Sequence, residues 1–465
     1  MPLFPKHSPA PNCSDAAENE GKPISRPHIG LRAFIGTFGT NLFIQGCTIL
    51  QGVIVARLLG PLGRGEYAAV ILWPTLFAAV SILGSNISIS RLAAKGVEPG
   101  SLFRSAFLTG VVTSSLGAVA CYFAAPFLMP ANEAHLVPLA RLFVLFIPLN
   151  HIGLNFVAVD LGACNFNLYN FYRSILNPLY VITLTVFWLI GIRIVEAFVI
   201  ALLSAYLAVA LIRFFFVFSR YNIKGRIYPI LKIFKQSLLF GLAGMADPFY
   251  QQADKAILLW LLGAENLGIY VVALSASTAV NSLTTAAGAV TFTISAQENH
   301  REGAERVFRI FRMSVFLWIV FGVMIAALMP WVLPLIYGKE FASGVVPAQL
   351  LIIGSAAVGL SSQLEQAMRG QGRAFVGLEG RLAGLVIMAG LGILLSKYFQ
   401  LQGVCIAFVS GQFFCLGVML RRCMKHYGVA LSSPLLIPSK RDMAIFVKAL
   451  KASKQKILNR AYSKK

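Results

Sequence analysis

Twelve stretches of roughly 20 or more mostly apolar residues run through this 465-residue chain. That is about the length an α-helix needs to cross the hydrocarbon of a bilayer. They fall at 32–58, 67–90, 103–129, 136–159, 167–191, 194–218, 237–262, 268–295, 309–336, 346–368, 374–396 and 402–424. The short alternating segments of a transmembrane barrel are not present. Composition agrees, since 12% of the residues are charged where a soluble domain carries about 25%. The reading is an all-α polytopic membrane protein with twelve transmembrane helices. Residues 1–29 are rich in Pro, Ser, Asn and charge, without an apolar core or a small-residue cleavage site. They read as a disordered cytoplasmic tail rather than a secretory signal.

A net charge of +22 invites a nucleic-acid partner, but the placement of the charge argues for none. With the N-terminus inside, the inner loops hold seventeen Lys and Arg, Arg91, Arg173 and Arg213 among them. The outer loops hold six: Arg57, Arg64, Arg141, Arg193, Lys339 and Lys397. This is the positive-inside pattern, and it predicts both termini in the cytoplasm. The seven cysteines are scattered, mostly inside apolar spans and with no CxxC pair. They read as small buried apolar residues, so neither a metal site nor disulfide chemistry is expected. No motif calls for a cofactor.

The chain repeats itself. "LLGPLGRGEYA" at 58–68 returns as "LLGAENLGIYV" at 261–271, with Gly60/Gly263, Gly65/Gly268 and Tyr67/Tyr270 in register. "LFRSAFL" at 102–108 matches "VFRIFRM" at 307–313, and Gly162 with Arg173 matches Gly370 with Arg381. Helices one to six therefore recur as helices seven to twelve. An even number of spans per copy makes the copies parallel, related by a pseudo-two-fold axis along the membrane normal. The expected domains are a six-helix bundle at 30–218, a basic cytoplasmic linker at 219–236, a second six-helix bundle at 237–427 and a basic tail at 428–465. In the repeated motif Gly60 and Gly263 should end helices with positive φ. Gly65 and Gly268 should allow a tight turn, and the two tyrosines should sit at the membrane interface. A phosphate-cradling loop is disfavoured because no Lys-Ser/Thr pair follows.

Two parallel bundles suit a transporter, which needs polar faces along a pathway. Helix one carries Asn41, Gln45 and Thr48 on one face, and helix seven carries Asp247, Gln251 and Asp254. Pro248 is placed to kink the latter helix. Helix eight adds Ser277, Asn281, Thr284 and Thr291. Polar groups facing lipid are costly, so these faces should meet a cavity or another helix. Asn41, Gln45, Thr48, Arg173, Gln251, Asn281 and Arg381 are the candidate substrate-pathway residues. For the two arginines, phosphate contact competes with snorkelling to the headgroups. Asp247, Asp254 and His151 are candidates for a coupling ion or proton. His151 also suits a plain interhelical hydrogen bond, and Glu365 suits a pair with Arg369 four residues on. Residues 441–463 read as an amphipathic helix lying on the anionic inner leaflet.

"VARLLGPLGRGEYA", "ADKAILLWLLGAENLGIYVVA", and "LPLIYGKEFASGVVPAQLL" followed by "MRGQGR" together resemble the polysaccharide repeat-unit flippases, the O-antigen transporter type of the MATE/MOP exporter superfamily. The resemblance runs from Gly30 to about His426. It implies a bacterial inner-membrane protein that moves undecaprenyl-diphosphate-linked oligosaccharide to the periplasmic leaflet from a cationic cavity, coupled to H+ or Na+. It also implies membrane lipids, a polysaccharide polymerase and chain-length proteins as partners. The lipid II flippases resemble the chain too but carry two further helices, and residues 428–465 are too charged to supply them. Multidrug exporters of the superfamily have twelve helices, but helix one here lacks their carboxylate. A polytopic glycan polymerase or ligase acts on the same lipids, yet the short outer loops show no paired-carboxylate or metal motif. The chain reads as a transporter rather than an enzyme.

Overall fold

The computed structural model describes residues 27–221, 227–278, 287–288, 291–292, 294–295, 300–373 and 375–429. Asn281, Thr284, the N-terminal tail as far as residue 26 and the predicted helix at 441–463 lie outside the described residues.

The described chain is helical throughout: α1 Pro27–Ser81, α2 Ser85–Ala94, α3 Pro99–Leu128, a 3-10 turn Ala131–Leu136, α4 Val137–Phe143, α5 Phe146–Gly162, α6 Phe166–Ser174, α7 Leu176–Ile190, α8 Val195–Arg220, α9 Ile230–Gly244, α10 Ala246–Ser277, α11 His300–Tyr337, a second 3-10 turn Lys339–Gly344, α12 Val345–Gly370 and α13 Val376–Tyr427. Eight helices are long and apolar enough to cross a membrane, nine if the bent pair Ala131–Phe143 and Phe146–Gly162 is one span. Three of these break once inside, at Gly60, Gly263 and Gln400. Among the described residues, apolar spanning helices thus account for eight or nine crossings, and the three internal breaks divide the longest of them into shorter arms. Their outer faces carry large bare apolar side chains, such as Phe127, Leu189 and Val386. Such faces are tolerable only where lipid replaces water.

The chain divides into two compact units, Met1–Ser275 with Leu333–Gly344, and Ala276–Val332 with Val345–Lys465. In the first, a core of Ile89, Leu102, Phe103, Phe156, Val159, Val217 and Ile233 ties α2, α3, α5, α8 and α9 together. Phe103 meets Phe156 edge to face at 5.4 Å, the arrangement favoured by the ring quadrupoles. In the second, α12 and the last arm of α13 approach closely where Gly354 abuts the Phe408 ring. Hydrogen bonds knit this unit: Ser277 to Ser355 at 3.1 Å, Gln363 to Thr291 at 3.3 Å and Tyr427 to Ser295 at 3.2 Å. Ser277 and Thr291 thus serve as interhelical links.

The seventh apolar segment is broken. α9 ends at Gly244 and α10 starts at Ala246. Pro248 is the cause, because its ring lacks an N–H and clashes with the carbonyl four residues earlier, that of Gly244. Cys164 departs from the expectation for cysteine. It is disulfide-bonded and lies in the exposed turn between α5 and α6, not within an apolar span.

Gly60 and Gly263 break their helices as expected, with φ of 67° and 79°. Gly65 and Gly268 do something other than turn the chain. Both are helical, in the first turns after the breaks, and the two copies of the motif cross there. A Cβ on Gly65 would stand 1.7 Å from the Ala264 carbonyl oxygen, and one on Gly268 would stand 1.9 Å from that of Pro61. Each copy is also met by a carboxylate from the other half of the sequence. Glu133 accepts a 2.9 Å hydrogen bond from the Ala264 N–H, and Glu340 lies 3.0 Å from where a Gly60 Cβ would be. Both acids sit where a helix N-terminus favours negative charge. The two tyrosines are buried within the protein. Tyr67 bonds Tyr180 at 3.0 Å, and Tyr270 donates to Asp254 at 2.6 Å.

Candidate functional site

A cavity of about 720 Å³ opens within the first unit, among α1, α2, α5, α6 and α8. That volume lies within the usual range of small-molecule sites, about 300–1,000 Å³. One part of its wall is apolar, including Ile44, Leu149, Leu154, Val157 and Val209. Another part carries three arginines, Arg91, Arg173 and Arg213, with Tyr169, Tyr172, Asn86 and Asn150.

Local sequence places each cation. Arg91 lies in the last turn of α2 and Arg173 in the last turn of α6, where the carbonyl end of a helix favours positive charge. α6 is started by Asn165, whose side chain accepts from the Leu168 N–H, as an N-cap should. Arg173 donates to Asn41 Oδ1 at 3.0 Å and lies over the Tyr169 ring at 4.8 Å. Two of the candidate pathway residues, Asn41 and Arg173, are therefore in contact.

Arg213 is the residue that reading by loops misplaced. It is not a loop charge: it lies inside α8 and is 2% exposed. Its Nη2 donates to Asp160 Oδ2, an equally buried carboxylate of α5. The guanidinium stands over the rings of Tyr172 at 4.2 Å and Phe103 at 5.3 Å. Its Nε and Nη1 find no hydrogen-bond partner among the described residues. A buried donor without an acceptor costs about 1–3 kcal/mol, more for a charged group. The signal was in the sequence: Asp160 and Arg213 are ionisable residues at the edge of or inside predicted spans four and six, and such residues pair or face a pathway.

The remaining candidates divide. Arg381, the repeat partner of Arg173, bonds both oxygens of Glu365, at 3.1 and 2.5 Å. Arg369 adds a third contact to Glu365 at 2.6 Å, so the expected pair is present and enlarged. The two matching arginines thus differ, one with its charge matched by a carboxylate and one at the cavity. His151 is fully buried between helices. Its Nδ1 meets Thr113 at 2.8 Å and its Nε2 meets the Ala78 carbonyl at 2.9 Å. Nε2 is placed to donate to that carbonyl, and both ring nitrogens are engaged within the protein. The Thr48 hydroxyl returns to the Ile44 carbonyl of its own helix. Asp254 is 2% exposed and held by Tyr270. Asp247 is half-buried, and Gln251 is exposed, as are parts of the Asn41–Thr48 face. Gln45, Gln251, Asp247 and Asp254 do not line the cavity.

A family model described as "Polysaccharide biosynthesis protein" matches residues 31–297. A search of curated proteins by sequence finds no match. Among solved structures, an inward-facing multidrug resistance MATE family transporter of the MOP superfamily is similar at 15% identity and a TM-score of 0.67, covering 90% of this chain and 98% of its own. The lipid II flippase MurJ, in its inward closed conformation, is similar at 13% identity and a TM-score of 0.62, covering 85% and 89%. The eukaryotic MATE transporter AtDTX14 is similar at 14% identity and a TM-score of 0.61, covering 86% and 98%. At such identities the likeness is one of fold.

Proposed function

The chain belongs to the polysaccharide biosynthesis protein family, and from that premise we propose that it is a flippase. Its cargo is an undecaprenyl-diphosphate-linked oligosaccharide, moved from the cytoplasmic to the periplasmic leaflet of a bacterial inner membrane. The observation that carries the reading is the cavity wall, where Arg213, with two buried donors unpartnered among the described residues, stands with Arg91 and Arg173. Guanidinium donors suit phosphate oxygens. The apolar part of the wall suits the first isoprenes, while Tyr169, Asn86 and Asn150 offer a ring and amides to the sugar. Guanidinium groups repel a cationic drug, which disfavours multidrug export. The positive-inside rule puts the Arg91 and Arg173 ends of their helices at the cytoplasmic face, where such a cargo is made. Transport then proceeds by alternating access of the two six-helix halves, 30–218 and 237–427, with both termini cytoplasmic.

Binding of a prenyl-diphosphate disaccharide to purified protein tests this site. Arg173→Ala should weaken binding at least about tenfold, the equivalent of roughly 1.4 kcal/mol. Arg173→Lys should recover part of it, since charge survives without the planar fork. Arg381→Ala should leave binding near wild type, because Arg381 is matched to Glu365. Equal affinity in Arg173→Ala would remove the cavity from the pathway.

Coupling falls to an acid rather than to His151, whose two nitrogens are already engaged. Asp247 and Asp254 are the candidates for H+ or Na+. Asp247→Asn should abolish gradient-dependent transport and spare cargo binding. Transport by that variant at the wild-type rate in a full gradient would assign Asp247 a structural role.

A further inference from the structure

Glu66, Glu133 and His135 bring three metal-ligating side chains together, with a donor atom from each within 4.8 Å of the others. None of the three lines the arginine cavity. Glu66 follows the crossing residue Gly65 on α1, and the other two project from the first 3-10 turn, Ala131–Leu136. His135 Nε2 and Glu66 Oε1 are 3.3 Å apart. Ligands bound tetrahedrally at about 2.0–2.1 Å from zinc stand roughly 3.3 Å from one another, so this pair is already at ligand spacing. The side chain of His135 is 59% exposed, free to swing and close the remaining distance.

Glu133 supplies a second, independent observation. It is 7% exposed, and it pairs with no Lys or Arg among the described residues. Its described hydrogen bond is the one Oε1 accepts from the backbone N–H of Ala264. Buried carboxylates are normally matched by a cation, because desolvating an unpaired charge is costly. Among the described residues its charge is met only by the Ala264 N–H at a helix N-terminus, and the neighbouring ligand-type groups are a second carboxylate and an imidazole.

We propose that Glu66, Glu133 and His135 form a binding site for a first-row divalent transition-metal ion, with zinc as the representative occupant. An imidazole with two carboxylates favours such an ion over Mg2+ or Ca2+, which prefer all-oxygen sets. Two carboxylates and a neutral imidazole offset the ion's double charge. The bound ion straps the second arm of α1 to the 3-10 turn whose Glu133 also holds Ala264. It therefore braces the crossing of the two repeated motifs. This assignment is independent of the cargo and is tested without it.

The test is calorimetric titration of Zn2+ into metal-stripped, detergent-solubilised full-length protein. One zinc per chain should be lost, or bound at least about tenfold more weakly, in Glu66→Gln and in His135→Ala. His426→Ala, which is not a member of the cluster, should titrate as wild type. Zinc should raise the melting temperature of the wild type and leave that of His135→Ala unchanged. His135 is exposed, so its variant is expected to fold, and its metal-free melting curve checks this. Identical titrations in wild type, Glu66→Gln and His135→Ala would overturn the site. Displacement of zinc by equimolar Mg2+ would overturn its assignment to a transition metal.

Discussion

Gly65→Ala and Gly268→Ala should each destabilise the protein by about 3 kcal/mol, the upper end of what overpacking usually costs. On local grounds alone the sign would be the reverse. Both glycines are helical, and alanine in a helix interior is ordinarily better by about 1 kcal/mol. The crossing overrides propensity, because a methyl at Gly65 would meet the Ala264 carbonyl oxygen at 1.7 Å and one at Gly268 would meet that of Pro61 at 1.9 Å. These obstacles are backbone atoms that cannot rotate away, so the two helices must separate. Gly39 and Gly46 have open space where a Cβ would go, so Gly39→Ala and Gly46→Ala should be neutral or slightly stabilising. Thermal melts in detergent compare the four variants directly. The double variant Gly65→Ala with Gly268→Ala should cost less than the sum, since either methyl alone opens the same contact.

The second large effect is at Asp160 and Arg213. Asp160→Ala should cost about 3–5 kcal/mol, the usual result of leaving one member of a buried ion pair unmatched. Replacing both residues with leucine should recover most of that stability, because two apolar side chains leave no charge to solvate. Cargo binding should not recover. A purely structural pair predicts that the double leucine variant binds as wild type does, whereas the anion-site reading predicts that it folds and does not bind. Melting temperature and binding affinity, measured on the same preparations, separate the two.

The spanning segments were legible because apolar length is a local property of the sequence, and so were the helix breaks at Gly60 and Gly263. What the glycines at 65 and 268 do was not legible in the same way. Their spacing from Gly60 and Gly263 suggests a turn, and only the approach of residues some two hundred positions apart shows that they allow a crossing. The partners of the motif's buried tyrosines were not legible for the same reason, since Tyr180 and Asp254 lie outside the matched motif. Arg213 was missed differently. Counting charge by loops explains topology well and treats every arginine alike, although this one falls within a predicted span and its counter-ion Asp160 lies 53 residues away. Repeat matching joined Arg173 to Arg381, yet their chemistry differs, because Glu365 neutralises Arg381 and Asn41 accepts from Arg173. The acids on α10 were expected to face a cavity or another helix. Asp254 is turned into the protein against Tyr270.

The measurement that bears most directly on the proposed flippase is the leaflet at which lipid-linked oligosaccharide collects in cells lacking this protein. Intact cells or spheroplasts, probed with a lectin or glycosidase that cannot cross the membrane, report the outer leaflet alone, and lysed membranes report the total. The flippase account predicts that undecaprenyl-diphosphate-linked repeat units accumulate and stay inaccessible until the membrane is opened. Wild-type protein should restore access, and Arg173→Ala should restore it poorly at normal abundance. Repeat units that accumulate already exposed on the outer leaflet would contradict the account and point instead to a polymerase or ligase acting after transport.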